Sequence, residues 1–497
     1  MKIKLFKLVQ NELIKIFKRK SIYVLLLISI IVVIIFNYKN PDQIASIMQI
    51  GTKNIDLKGL EQSLESSKDN IERYLRQKVS LEFYKIYNKY EENSWQKYAI
   101  NEERGGYGGN KIEYNHNIEN NLYLIYDYEL NDNTEVSAEI YEKAKGYLKQ
   151  LIEALDSNNW KRFVEIKIQN LEEVKKYVQD DKTELSKVNI NIEIYELRLK
   201  NNIIFANNIL NSYLDEYRTN CYLMEDSEDK STNNFNFKKY LENKEILKYA
   251  INNNITQDIS QENFNVILEN KIDARISLIR TFRHFDIILV IITLYISCTT
   301  VVDETNKGTI KGLLTKPHKR TTIIVSKVLA CIIAVLVFMI FIIITQYIVG
   351  GMIFGFDSYK LDYIGYNHNK GQIVTVNLLI YILLVGLAKI PMYAIISMFA
   401  TLMSTIFNNI SITLILTLIV FYFGNTVIAD WSKERTIATV TKYFITNNWD
   451  FSQYLFGQVS DVYGLSFPFS LIIYTIYLVL ILGILIKVFN KKEIKNV

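Results

Sequence analysis

Residue types that usually carry chemistry are sparse in this chain and poorly grouped. The four histidines, His116, His284, His318 and His368, are far apart, and no His-Glu-x-x-His pair occurs, so the spacing offers no zinc site. Gly308-Thr-Ile-Lys-Gly312 has glycines but lacks the Lys-Ser/Thr end with which a nucleotide-binding loop grips phosphate and magnesium. No Gly-x-Ser-x-Gly nucleophile turn is present. Cys221 is alone in a polar region, while Cys298 and Cys331 sit in apolar runs, which excludes a disulfide framework in the polar part. What stands out does so by position. Lys389, two residues before Pro391, is a lone charge inside a long apolar stretch. Ionisable groups in such a place face a protein interior or a wet cavity, which makes Lys389 and Pro391 candidates for the wall of a translocation path. Snorkelling, or pairing across a dimer interface, is the alternative. The segment Val302–Lys327 gathers the other candidates: Glu304, Gly308, Thr309, Lys311, Leu313, Leu314, Pro317 and Arg320.

The elements that must hold these residues follow from the distribution of charge. The chain has 497 residues, 49% hydrophobic and 22% charged, with a formal net charge of +5. Six stretches contain no Asp, Glu, Lys or Arg: Ser21–Tyr38, Ile287–Val302, Val328–Phe356, Gly371–Ala388, Ile390–Ala429 and Val462–Ile486. Runs of this kind suit bilayer-crossing helices of about 20 residues. Between Asn37 and Asp286 there are 34 Lys/Arg against 42 Asp/Glu, whereas the remainder has 23 against 10. A mildly acidic polar module is thus set into a basic, lipid-embedded frame. The positive total therefore points to membrane lipid and not to nucleic acid.

Residues 1–20 form the first element, an amphipathic helix at the inner leaflet, with Ile3, Phe6, Val9, Leu13, Ile16 and Phe17 on one side. Residues 21–38 form a retained first span, because no small-residue cleavage site follows Phe36. Residues 39–285 form the polar module, and 286–490 hold spans two to six with a loop at 303–327. Residues 491–497 are a tail. Basic residues number seven in 1–20, six in 303–327 and four in 487–497, against two in Asp357–Lys370 and three in Asp430–Asp461. That bias puts both termini and the 303–327 loop in the cytoplasm of a cell (plasma) membrane protein, and the module outside. It favours two spans in Gly371–Ala429, roughly 374–402 and 410–428, over three shorter ones. The expected fold is all-α, a polytopic membrane protein with six transmembrane helices and a large helical extracellular domain between spans one and two.

Within the module, helical spacing is clear in Ile140, Ala144, Tyr147, Leu148, Leu151 and Leu155, and again in Trp160, Val164, Ile168, Leu171, Val174 and Val178. Ser157 is the expected N-cap of the second series. Val188-Asn-Ile-Asn-Ile-Glu-Ile194 alternates with period two, which on its own predicts a strand. Two related segments, 193–203 and 245–255, each read as a helix ending at asparagines, which tolerate left-handed backbone.

The segment Asp303-Glu-Thr-Asn-Lys-Gly-Thr-Ile-Lys-Gly-Leu-Leu-Thr-Lys-Pro-His-Lys-Arg320, running on to Ser326-Lys327, resembles the permease subunit of ABC-2 type transporters. There an acidic residue precedes G-T-[IL]-[KE]-x-L-L-x-x-P-x-x-R. Asn11-Glu-Leu-Ile-Lys-Ile-Phe-Lys-Arg-Lys20 looks like the family's opening segment, and the layout looks like a Gram-positive subgroup with a large extracellular insertion after the first span. The resemblance implies that a short helix from the loop docks on a separate ATPase. It implies two copies of that ATPase, which binds ATP and Mg, and a homodimer or heterodimer of permeases. This chain itself would bind no cofactor and have no catalytic residue. The loop's chemistry suits that role. Glu304 would place an acid at a helix N-terminus, Gly308 would allow a turn, Leu313 and Leu314 would be apolar knobs, and Pro317 would end the helix. The expected function is the membrane-spanning permease of an ATP-driven exporter, its cargo an antimicrobial peptide, lipid or drug. The alternative is an ATP-independent membrane receptor or sensor that works through its helical module.

Overall fold

The computed structural model describes residues 2–39, 53–102, 117–227, 235–257, 259, 273–307, 319–432, 434–458, 460 and 462–491. Among the described residues, six helices are long and apolar enough to cross a membrane: Lys20–Tyr38, Ala274–Asn306, Arg320–Phe354, Leu378–Phe407, Ile410–Trp431 and Phe467–Lys491. The chain is an all-α polytopic membrane protein, with one two-stranded hairpin among the described residues.

The spans differ from the charge-free runs at their ends for local reasons. The second begins earlier, as the short helix Ala274–Ile279 capped by Asp273, followed after Arg280 by Thr281–Asn306. The fourth span starts at Leu378, with the Asn377 side chain accepting from the Leu379 N–H. The preceding Gln372–Val376, counted as span by charge alone, is a strand paired with Tyr363–Asn367. Its β-branched Ile373, Val374, Thr375 and Val376 favour that state. Spans four and five are separate helices joined at Asn408, which takes left-handed backbone at φ 52°. The fifth relaxes into a π-helical turn at Phe423–Ile428. Gly424 lies in that turn, and a Cβ there would strike the Thr446 side chain, so glycine lets the 445–448 segment seat against the span. Gly386 acts likewise between spans: an added Cβ would lie 2.8 Å from Met339 Sδ.

The polar module is built from helices that start on their own side chains. Asp56, Asn70, Asn117, Ser137, Asn159, Asp181 and Asn208 each accept from a first-turn N–H, a cap worth about 1 kcal/mol apiece. The cap of Trp160–Tyr177 is Asn159 and not Ser157, which instead ends the preceding helix Ala138–Asp156. Asn158 takes left-handed backbone between them, at φ 56°. Asn202 and Asn254 are also left-handed, at φ 55° and 49°, as their helix-ending position predicts.

Residues 188–194 are not a strand. They belong to the helix Lys182–Lys200. Val188, Ile192 and Tyr195 pack into one core with Phe83, Leu151, Phe163 and Leu171. Ile190, Ile194 and Leu197 pack into a second core with Tyr213, Tyr217, Ile246 and Ile251. The period of two is therefore two helical stripes, each of spacing four, on a helix sandwiched between cores. The second core also takes in Ile364 and Tyr366 of the hairpin. Module and hairpin thus lie at the same end of the bundle.

The N-terminal helix Lys2–Phe17 lies at the opposite end and packs on the third span, with Val9, Glu12 and Ile16 buried. Phe6, expected on the buried side, is 71% exposed. The last span ends here too, since the Arg320 guanidinium donates to the Asn490 carbonyl at 2.9 Å.

Candidate functional site

Two charge clusters occupy the bundle, one at each end. At the N-terminal-helix end, Glu304 sits in the final turn of the second span and Lys327 two turns into the third, each facing the N-terminal helix. Lys327 Nζ lies 2.9 Å from Glu12 Oε2 and 2.6 Å from Glu304 Oε2, and also donates to the Thr300 carbonyl at 3.3 Å. Lys15 Nζ lies 2.7 Å from Glu12 Oε1 and 2.6 Å from Glu304 Oε1. The four groups close into a neutral ring around a fully enclosed Lys327 ammonium. Burial pulls Lys15 down, but its bonds to Glu12 and Glu304 outweigh this and hold it above the ordinary lysine value. On the rim Arg19 reaches Asp303 at 3.5 Å and donates to Thr299.

This corrects the expected role of Glu304. It does not stand at a helix N-terminus; it is buried at a helix C-terminus, where the dipole disfavours it and the two lysines hold it. Of the other loop candidates, Arg320 opens the third span and anchors the last. Gly308, Thr309, Lys311, Leu313, Leu314 and Pro317 lie outside the described residues.

At the module end, Lys389 lies about 17 Å along its helix from Leu378, at 1.5 Å per residue. Its ammonium is 3.1 Å from Asp286 Oδ2 and 2.6 Å from Asp450 Oδ2. The pairing is therefore made within the chain. Tyr393, one turn on, donates to Asp286. Asp450 also accepts from the Ser452 N–H at 2.9 Å and its hydroxyl at 2.5 Å. Burial pushes Asp450 up, yet the Lys389 charge and these bonds outweigh it and keep its carboxyl below the usual range. Pro391 stays inside an unbroken helix, its carbonyl accepting from the Tyr474 hydroxyl at 3.3 Å.

Lys389, Asp286 and Asp450 form the floor of a cavity of ≈ 720 Å³ between the bundle and the module. The module supplies Lys238, Lys239 and Glu242, the hairpin His368, and the fifth span Phe421, Tyr422 and Thr426. Its π-helical turn thus lies at the cavity wall, a frequent place for such turns. Pro391 does not line this space.

Sequence reasoning singled out Glu304, Lys327 and Lys389 but not their other partners. Glu12 stands beside Ile16 on the buried helix face with Lys15 at its exposed rim, and that acid among apolar residues was the available signal. Asp286 and Asp450 carried none beyond being acids next to apolar runs. No group of His, Cys, Asp and Glu able to hold a metal occurs among the described residues.

The fold and these clusters define a six-span helical membrane protein whose bundle carries a buried charge ring at one end and a polar cavity at the other. Residues 254–495 match a family model described as a protein of unknown function, DUF2705. That match takes in the last five spans with Glu304 and Lys327, and leaves out the N-terminal helix with Glu12 and Lys15, the first span and most of the module. The chain is also similar to the uncharacterised protein YhcI of Bacillus subtilis (strain 168), with 25% identity over 219 residues, covering 43% of this chain and 67% of that protein. No solved structure matches.

Proposed function

We propose that this protein is the membrane-spanning permease of an ATP-driven exporter in the cell membrane, with its termini and the 303–327 loop cytoplasmic and its module outside. The observation that supports this most is the Glu12–Lys15–Glu304–Lys327 ring. It rivets the N-terminal helix to both helices that flank residues 308–318. A push delivered to that loop would then move spans two and three as one body, where a loosely attached loop would only bend. The motif residues Glu304 and Lys327 thereby gain a mechanical role that suits an ABC-2 permease, the family their segment resembles. ATP and Mg would be bound, and ATP hydrolysed, by two copies of a partner ATPase, and two permease chains, identical or related, would frame the path.

Purified in detergent from its own host, the chain should carry a P-loop ATPase in stoichiometric amount. Replacing Leu313 and Leu314 by Ala should remove the ATPase while leaving the chain in the membrane. Recovery of the wild-type chain without an ATPase would overturn the reading and favour a receptor working through the module. A Thr315→Cys variant in which Cys221 is replaced by Ser should resist impermeant maleimide added to whole cells; labelling of intact cells would invert the topology.

A further inference from the structure

The cavity has a satisfied floor and an unsatisfied mouth. On the floor, Asp286 and Asp450 share the Lys389 ammonium and take further hydrogen bonds from Tyr393 and Ser452, so their charge is met from within the chain. At the mouth, Lys238 and Lys239 stand side by side on the helix Phe235–Asn252 and line the cavity, and neither makes an ion pair among the described residues. Glu242, one turn further on, lies 3.3 Å from His368 Nε2 and pairs with neither ammonium group. Burial with no carboxylate to offset it pulls Lys238 below the ordinary lysine value. Arg283, exposed at the start of the second span, adds a third cation to the lining.

Below the mouth the wall turns apolar, through Ile279, Phe282, Val385 and Phe421. Ile287 of span two and Tyr422 of span five line the same space and stay 43% and 61% exposed. An alkyl chain laid along this wall would cover them. Its ≈ 720 Å³ falls within the range of about 300–1,000 Å³ usual for small-molecule sites. A soluble polyanion would use the cations and leave the apolar wall wet, and a cationic ligand would meet repulsion at the mouth.

We propose that this cavity binds a single-chain or lipid-like anionic amphiphile from the leaflet on the module's side, its phosphate or carboxylate at Lys238 and Lys239 and its alkyl chain along Phe282, Ile287, Val385 and Phe421. Binding is a property of this chain alone, so it can be tested without any ATPase, and its failure would leave the exporter reading standing.

The test uses the full chain in neutral detergent with fluorescent lysophosphatidylglycerol as probe and an uncharged monoacylglycerol of the same chain length as control. The anionic lipid should bind saturably and at least about tenfold more tightly than the uncharged one, the discrimination expected of one charge-assisted contact. Exchanging Lys238 and Lys239 together for Gln should remove that preference, and exchanging both for Arg should keep it. Val385→Trp, which fills the apolar wall, should abolish binding of both lipids at an unchanged melting temperature. Equal binding of the two lipids by the wild type, or a preference that survives in the Gln pair, would overturn the proposal. Displacement of the probe by millimolar inorganic phosphate would overturn it too, in favour of a site for small free anions.

Discussion

Both ends of the bundle bury a lysine among carboxylates, to different effect. At the N-terminal-helix end, two lysines face two glutamates, Lys327 is fully enclosed, and the four groups join three helices. At the module end, Lys389 alone faces two aspartates, which border a cavity and draw on Tyr393 and Ser452 for the rest of their bonding. Opening the first cluster strands Lys327, Glu12 and Glu304, all nearly enclosed, although Lys15 keeps access to solvent, so it is a rivet between three helices. Opening the second exposes its carboxylates to a polar cavity, so its parts can separate at lower cost. Depth and access to solvent, more than the number of ion pairs, set what a buried charge cluster can do.

The largest expected effect comes from Lys327→Met. It leaves Glu12 and Glu304 close together with only Lys15 between them, and should destabilise the protein by about 4 kcal/mol. Melting followed by size exclusion in detergent would read this as a large fall in midpoint, recovered in part only when Glu12→Gln and Glu304→Gln are added. Lys389→Met should cost less, about 2 kcal/mol, and Asp450→Asn alone should restore part of it in the same assay. A larger loss from Lys389→Met than from Lys327→Met would break the distinction between rivet and floor.

A charge site in the module calibrates both. Glu193 accepts from Lys248 at 2.7 Å and from Tyr217 at 2.8 Å, tying together three helices of the second core. Burial pushes its carboxyl up, but these bonds outweigh it and leave it below the ordinary value of 4.5. A depressed carboxylate contributes stability that is present above 4.5 and is lost as pH falls below that value and through the folded one. The module's melting temperature should therefore fall on acidification below 4.5, and Glu193→Gln should flatten that dependence while costing about 1 kcal/mol at neutral pH. The smallest effect belongs to Arg19→Gln. Its pair with Asp303 is partly exposed, and its loss should cost no more than about 1 kcal/mol, shrinking further in high salt.

Local reasoning read much of the scaffold and little of the chemistry. Asn202 and Asn254 announced their left-handed helix ends because asparagine favours that backbone wherever it lies. Val188–Ile194 misled because its period of two assumes a single buried face, and the helix buries two. The hairpin at 363–376 was absorbed into an apolar run because composition alone does not separate a strand from the start of a span. Glu304 was visible as a motif residue, yet its burial depended on Glu12, nearly three hundred positions away.

The sequence by itself determined six spans, the helical character of the inserted module and some helix ends, such as Asn202 and Asn254, but not others, such as the start of the fourth span. Each of those follows from hydrophobic transfer, charge or backbone preference within about twenty neighbouring residues. Only the tertiary structure decided that residues 12, 15, 304 and 327 form one ring, and that 286, 389 and 450 form the floor of a cavity. The physical reason is that an ion pair is fixed by distance in space. The helices that bring such groups within 3 Å are set against each other by packing over their whole length, which no local window of sequence contains.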